Sequence, residues 1–206
     1  MPGFSRQTFL NPLIAAILIT GLSGCYVPVS FYTEVEIRRT GYYEMRYDGY
    51  LAWAPLYEKL RDGTLSPAEE KEKVAQITTD LKRDTATREV RYMRRGRFKV
   101  DWRKSGDLLQ TGMVTFVRQS DKIITLKFIK DTGEMILEGT SASRSKAKQL
   151  VDAGLNVTGD LRVKTDARVV SHNATSVTKN GVRGQIYDWK IKSVFDPPPR
   201  LVIATR

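Results

Sequence analysis

The sequence predicts an α+β fold: predominantly antiparallel β-sheet, with one long and one short helix packed on it. Three features lead there. From residue 31 onward, apolar and polar residues alternate with period two in short runs broken by glycines. A strong helix start stands at Ser66-Pro67-Ala68-Glu69. From Leu155, short strand patterns follow one another with tight turns between them.

In the first strand pattern, Phe31, Thr33, Val35 and Ile37 alternate with Tyr32, Glu34, Glu36 and Arg38. Gly41 breaks the run. Tyr43, Met45 and Tyr47 then alternate with Glu44, Arg46 and Asp48 in a second strand running towards Trp53, so the two are expected to pair as a hairpin. Pro55 opens a short turn ending at Gly63. Ser66 then reads as an N-cap, Pro67 as the first helical residue and Glu69 as the partner of a capping box. Val74, Ile77 and Leu81 form a narrow apolar stripe along this long helix, as suits a helix lying on a sheet.

A second group of strands follows, with Val90 and Tyr92, then Phe98, Val100 and Trp102 after Gly96, then Val114 and Phe116, then Ile124, Leu126 and Phe128, then "GEMILEG". Ser143 to Ala153 reads as the short helix, stopped by Gly154. Strands at 161–163, 169–171 and 186–191 come next, with a Lys179-Asn180-Gly181 turn before the last of them. Pro197-Pro198-Pro199 reads as a stiff spacer before a final "LVIA" strand.

With 206 residues the chain is long enough for a real core, and 41% apolar with 28% charged residues is an ordinary globular composition. The net charge of +11 is the outlier. It points to an anionic partner, such as lipid headgroups, an envelope polymer or nucleic acid. One cysteine excludes an internal disulfide and any multi-cysteine zinc site, and one histidine, His172, excludes a histidine metal cluster. No metal site is expected. No glycine-rich phosphate loop follows a strand, so no nucleotide is called for, and no cofactor is expected.

Arg6 is the one charged side chain among residues 1–24. An apolar stretch from Leu13 to Leu22 follows, about half the ~20 residues a membrane-spanning helix needs. Small residues then precede Cys25. This is the anatomy of a secretory signal. Leu22-Ser23-Gly24-Cys25 resembles the lipobox of bacterial lipoproteins. That resemblance implies cleavage before Cys25, a diacylglyceryl group on its thiol and acylation, as by palmitate, of the new amino terminus. Tyr26, not Asp, follows the cysteine, which by the family's sorting rule implies the outer membrane, facing the periplasm or the surface. Without the resemblance, the segment also fits an ordinary signal cut nearby or a buried cysteine in an N-terminal helix. The expected organisation is a signal peptide at 1–24, a lipidated tether at 25–30 and a single envelope domain at 31–206. Within that domain, 154–206 stands as a possible β-rich subdomain. Residues 154–192 also resemble, without a diagnostic motif, the LppM-like lipoprotein ectodomains.

Two stretches are candidate recognition surfaces. Arg91, Arg94, Arg95, Arg97, Lys99 and Arg103 form the densest basic cluster, interleaved with Tyr92, Phe98 and Trp102. Alternation puts the aromatics on one strand face and the cations on the other. This is either a half-buried strand with a solvated cationic face or the site of an anionic partner, and export argues against nucleic acid. In "GYYEMRYDGYLAWAPLY", Tyr43 and Tyr47 share the core side, whereas Tyr42 and Tyr50 share the outer side as candidates for recognition. His172 lies at a strand end, where a surface hydrogen-bonding role is expected. The Asn156 and Asn173 N-x-T patterns are expected to be fortuitous. The resulting expectation is a membrane-anchored envelope lipoprotein with a non-catalytic binding or scaffolding role. An envelope enzyme acting on a cell-wall or lipid polymer is the alternative.

Overall fold

A computed structural model describes residues 26–205. The expected signal peptide at 1–24 and the expected lipidation site Cys25 lie outside the described residues. Strands β1 (Tyr26–Ile37) and β2 (Tyr42–Trp53) form the expected hairpin, in register from Tyr26 opposite Trp53 to Ile37 opposite Tyr43. Helices α1 (Ala54–Arg61) and α2 (Pro67–Leu81) follow, then β3 (Thr87–Tyr92), β4 (Arg97–Asp107) and a single helical turn, α3 (Leu108–Thr111). Next come β5 (Met113–Arg118), β6 (Asp121–Ile129), β7 (Glu134–Gly139) and α4 (Arg144–Asp152). The chain closes with β8 (Gly159–Thr165), β9 (Arg168–His172), β10 (Ser176–Lys179), β11 (Gln185–Ile191) and β12 (Arg200–Ala204).

The strands form a seven-stranded sheet, ordered β10-β11-β8-β1-β2-β4-β3, and a five-stranded sheet, ordered β5-β6-β7-β12-β9. Every pairing is antiparallel except that of β1 with β8. The α+β class therefore stands, with α1 and α3 added to the two expected helices. The helix caps follow the sequence signals. Ser66 and Glu69 make the reciprocal capping box of α2, and the Ser143 hydroxyl accepts from the Lys146 N–H at the start of α4.

The two inner faces meet in one main core. Tyr47 of β2 stacks on Phe116 of β5 with ring centroids 4.1 Å apart, and Trp102 of β4 tilts against the same ring at 5.2 Å. All three are buried, together with Val35, Ile37, Met45 and Val100 from the alternating positions. Each such side chain contributes about 1.5–3 kcal/mol by leaving water. A smaller apolar cluster joins Val27, Ala52 and Ala54 to Leu150 and Leu155 beneath α4.

Three expectations are corrected. Residues 26–30 are not a tether: β1 begins at Tyr26, and Tyr26 and Val27 are buried. Pro28, which has no N–H to donate, and a bulge between Pro28 and Ser30 broke the period-two pattern there and hid the strand. The 154–206 stretch does not stand apart either, because β8 lies beside β1 in the middle of one sheet and β12 lies between β7 and β9 in the other. Finally, the expected Lys179-Asn180-Gly181 turn is longer and starts later, since Lys179 still belongs to β10. Asn180-Gly181 sits in a five-residue loop closed by the Asn180 N–H donating to the Gly184 carbonyl, with Lys179 opposite Gln185.

Asn156 and Asn173 are structural. The Asn156 side chain donates to the Lys192 carbonyl and accepts from the Val157 and Val194 N–H groups. The Asn173 carboxamide oxygen accepts from the buried Trp189 indole at 2.8 Å and from the Arg200 N–H at 2.7 Å, while its nitrogen donates to the Pro198 carbonyl. It thereby joins β11 in one sheet to β12 in the other. Asn173→Ala orphans the indole donor and is expected to cost about 1–3 kcal/mol. Urea unfolding should show a lowered midpoint with an unchanged slope.

Candidate functional site

The basic cluster lies along the β3–β4 hairpin. Arg97, Lys99 and Arg103 point outward from β4, while Phe98, Val100 and Trp102 fill the core, as the alternation requires. Register brings Arg91, Lys99 and Tyr50 into one row across β3, β4 and β2. The Lys99 ammonium lies 5.3 Å from the centre of the Tyr50 ring and pairs with Asp48. Arg91 pairs with Glu89 at 2.7 Å, and Arg103 lies 3.8 Å from Asp101. Across the same outer face, Arg46 pairs with Glu44, Lys164 with Glu34 and Arg162 with Asp188. The surface is thus a lattice of alternating charge. Its tip is cationic: Arg94, Arg95 and Arg97 carry no ion pair among the described residues.

That tip is an unusual turn. Arg94 and Arg95 have φ of 65° and 50°, Gly96 has φ of 67°, and the Arg97 N–H donates to the Arg94 carbonyl. Positive φ at both central residues, Arg95 and Gly96, is the signature of a type I′ turn, which favours Asn-Gly. Tyr42 lies at the other end of β2 from Tyr50, on the same outer face, with the Arg38 guanidinium 5.8 Å from its ring centre. The two candidate tyrosines therefore belong to different neighbourhoods. The His172 ring packs edge-on against Tyr187, and its Nδ1 accepts from the Ala174 N–H. No group of three or more potential metal ligands stands together among the described residues.

A third polar cluster joins the start of β1 to α2 and β5. The Arg118 guanidinium donates to Asp80 at 2.7 Å, the Tyr26 hydroxyl donates to the same carboxylate at 3.3 Å, and the guanidinium lies 5.5 Å from the Tyr26 ring centre. The hydrogen bond from Arg118 holds the Asp80 carboxyl below the usual aspartate range, and burial pushes the Tyr26 hydroxyl well above its own.

The concave site is elsewhere. A cavity of about 350 Å³ opens at the end of the sandwich where β1 begins. Its walls combine Tyr26, Val27, Pro28 and Phe31 of β1 with Ile123 and Ile124 of β6. Leu150 of α4, Val157 and Leu161 beside and in β8, and Ile191 of β11 complete the apolar lining. The 139–143 connection and the Ser193–Pro199 connection, triple proline included, close it over. The cavity is the seam between the main core, which supplies Tyr26 and Leu161, and the smaller cluster, which supplies Val27 and Leu150. Phe31 enters it because glycines flank it on both neighbouring strands. A Cβ on Gly159 would lie 2.5 Å from the Phe31 carbonyl oxygen, and one on Gly49 would lie 2.6 Å from the Phe31 Cβ.

Lys122 and Lys146 bring cations to the lining. The Asp196 carboxylate, also there, is engaged by the Lys192 and Ser193 N–H groups. An apolar hollow of this size with a few polar groups has the form of a ligand pocket. Sequence reading did not reveal it, because its lining comes from segments up to about 170 residues apart. The one local signal was the triple proline, a rigid strap set between two buried strands.

No family model matches the chain, and no curated protein does. Among solved structures it is similar to the NMR structure of the LppM folded domain of Mycobacterium tuberculosis. Identity is 12%, the match covers 98% of this chain and 95% of that one, and the TM-score is 0.42. At that level nothing about ligand or role passes from it to this chain.

Two outcomes are expected. Arg95→Asn restores the preferred residue pair to the hairpin tip and should stabilise the fold by about 0.5–1 kcal/mol, read as a raised urea midpoint. The folded-state pKa of Asp80 is depressed, so its contribution is complete above the unfolded value of about 3.9 and is lost as pH falls through the folded value. Asp80→Asn should therefore be less stable than wild type at neutral pH, and the gap should narrow below about pH 4. A gap that stays constant through acid would remove Asp80 from the acid sensitivity.

Proposed function

We propose that the protein is a bacterial envelope lipoprotein, anchored through acyl chains on Cys25, whose domain has a non-catalytic binding role. Its ligand is an amphiphile with an apolar chain, held in the cavity between the sheets, and an anionic head near Lys122 and Lys146. The observation that carries this reading is the placement of the cavity. Tyr26, the residue that follows the lipobox cysteine, is part of its wall.

The chemistry needs no reacting group. Each methylene transferred from water to an apolar lining contributes ~0.8 kcal/mol. A cation at the mouth selects an anionic head and discourages a cationic one. Removing residues 1–24 takes the net charge only from +11 to +10, so the cationic character belongs to the folded domain. That charge favours a site on an anionic envelope surface, and Tyr26 after the cysteine favours the outer membrane. The unpaired cations at the β3–β4 tip lie at the same end of the sheet, with Arg97 opposite Ala52 and Ala52 opposite Val27, and add positive charge there for an acidic protein or polymer partner.

The test has two arms. Metabolic labelling with a palmitate analogue is expected to mark the wild type and leave Cys25→Ser unlabelled; equal labelling would overturn the anchor. For the ligand, a fluorescent fatty-acid analogue is titrated into the purified protein. Ala142→Trp, which fills part of the cavity from its rim, is expected to weaken binding by about tenfold or more, that is ~1.4 kcal/mol, with the thermal unfolding midpoint unchanged. Equal affinity in both proteins would remove the cavity as the binding site.

A further inference from the structure

We infer that the end of the sandwich carrying α4 and the 192–196 connection is a membrane-docking face, seated on the anionic bilayer in which Cys25 is anchored. This rests on the lipoprotein reading above and goes beyond it by assigning the domain one orientation on the membrane.

The first reason is the missing tether. Tyr26 is already paired with Trp53 and buried in the sheet. Consecutive α-carbons are about 3.8 Å apart, so a lipid on Cys25 is separated from a fixed strand residue by one peptide bond. A domain joined to its anchor by a flexible linker samples many orientations. Here the anchor holds the end of the sandwich where β1 begins close to the headgroups.

The second reason is what that end exposes. Phe195 is 53% exposed between Val194 and Asp196, which both line the cavity, and Val151 is 41% exposed beside the lining residue Leu150. An aromatic and a branched aliphatic side chain left in water at an anchoring end are suited to the interfacial layer of a bilayer. Around them stand Lys122 at the start of β6, Arg144 and Lys146 in the first turn of α4, and Lys192 after β11. Three acidic residues at this end have partners. Asp196 accepts two backbone N–H groups, Asp152 pairs with Lys148 at 2.7 Å, and Asp121 lies 4.0 Å from Arg118. An excess of cations around exposed apolar groups is complementary to an anionic lipid surface. In this orientation the cavity opens at the membrane, and an amphiphile reaches it from the bilayer without crossing bulk water.

The chain has a single cysteine, which the anchor consumes, so an introduced cysteine is the sole free thiol. Phe195→Cys and Val151→Cys are made singly in the full chain, purified from bacterial membranes and coupled to a polarity-sensitive fluorophore. Each is reconstituted into phosphatidylethanolamine–phosphatidylglycerol vesicles carrying a lipid-attached nitroxide quencher. Val182→Cys, in the 180–184 loop at the opposite end of β11, is the control. Probes at 195 and 151 are expected to lose most of their emission to the quencher, whereas the probe at 182 keeps its own. The difference should shrink when Lys122 and Lys146 are both changed to Glu or when the phosphatidylglycerol is replaced by phosphatidylcholine. If the protein floats with the vesicles and all three probes behave alike, the docking face is overturned while the anchor stands. Failure of the unlabelled protein to float overturns the lipoprotein reading, and the docking face with it.

Discussion

The parallel pairing of β1 with β8 is the constraint on which the rest of the molecule depends. Seven consecutive positions, from Phe31 opposite Gly159 to Ile37 opposite Thr165, join the first strand to one that lies more than a hundred residues later. Parallel neighbours cannot be linked by a tight turn, so everything between them must leave the sheet and return. The intervening chain does so by adding β2, β4 and β3 to one side of β1 and then building most of the opposing sheet. With β11 and β10 continuing from β8, β1 becomes a central strand. A central strand that begins at Tyr26 fixes that residue, buried, at the end of a packed sandwich.

The same constraint explains the cavity. At the end where β1, β6 and β8 begin and β7 and β11 finish, the two sheets do not close on each other. The bulge at Pro28 turns β1, and two glycines admit Phe31 between the neighbouring strands. The main core stops at Leu161 and Ile124, and the cluster under α4 starts at Val27 and Leu150. The Ser193–Pro199 connection spans the gap as a strap, held by Asn156 to Val194, by Asp196 to Lys192 and Ser193, and by Asn173 to Pro198. The three consecutive prolines, each with φ fixed by its ring, leave the strap few alternative paths across the opening.

Charge is distributed by the same logic of rows. On the outer face of the larger sheet, cross-strand neighbours bring Lys99 to Asp48, Arg162 to Asp188 and Lys164 to Glu34. Exposed pairs of this kind contribute little to stability, about 0–1 kcal/mol each, but they neutralise the face. Among the described residues, cations without an ion pair include those of the Arg94–Arg95 turn and those near the cavity, at element ends and turns.

Much of the fold was legible because its signals are local. Alternation alone assigned Val35, Tyr43, Tyr47, Phe98 and Trp102 to the core and Tyr42, Tyr50 and Lys99 to the outside, and the capping box located the start of α2. Turn chemistry was less reliable. Asn180-Gly181, the favoured pair for a two-residue hairpin, lies in a longer loop, and the type I′ geometry falls instead on Arg95-Gly96, because strand register decides how many residues a loop must hold. What the sequence by itself determined is the class of fold, the inward and outward faces of its strands, and the proposed address written in Leu22-Ser23-Gly24-Cys25. Only the tertiary structure decided which strands are neighbours, which cations are neutralised and where the apolar cavity opens. Those depend on residues far apart in the chain meeting in space, and no local pattern encodes that meeting.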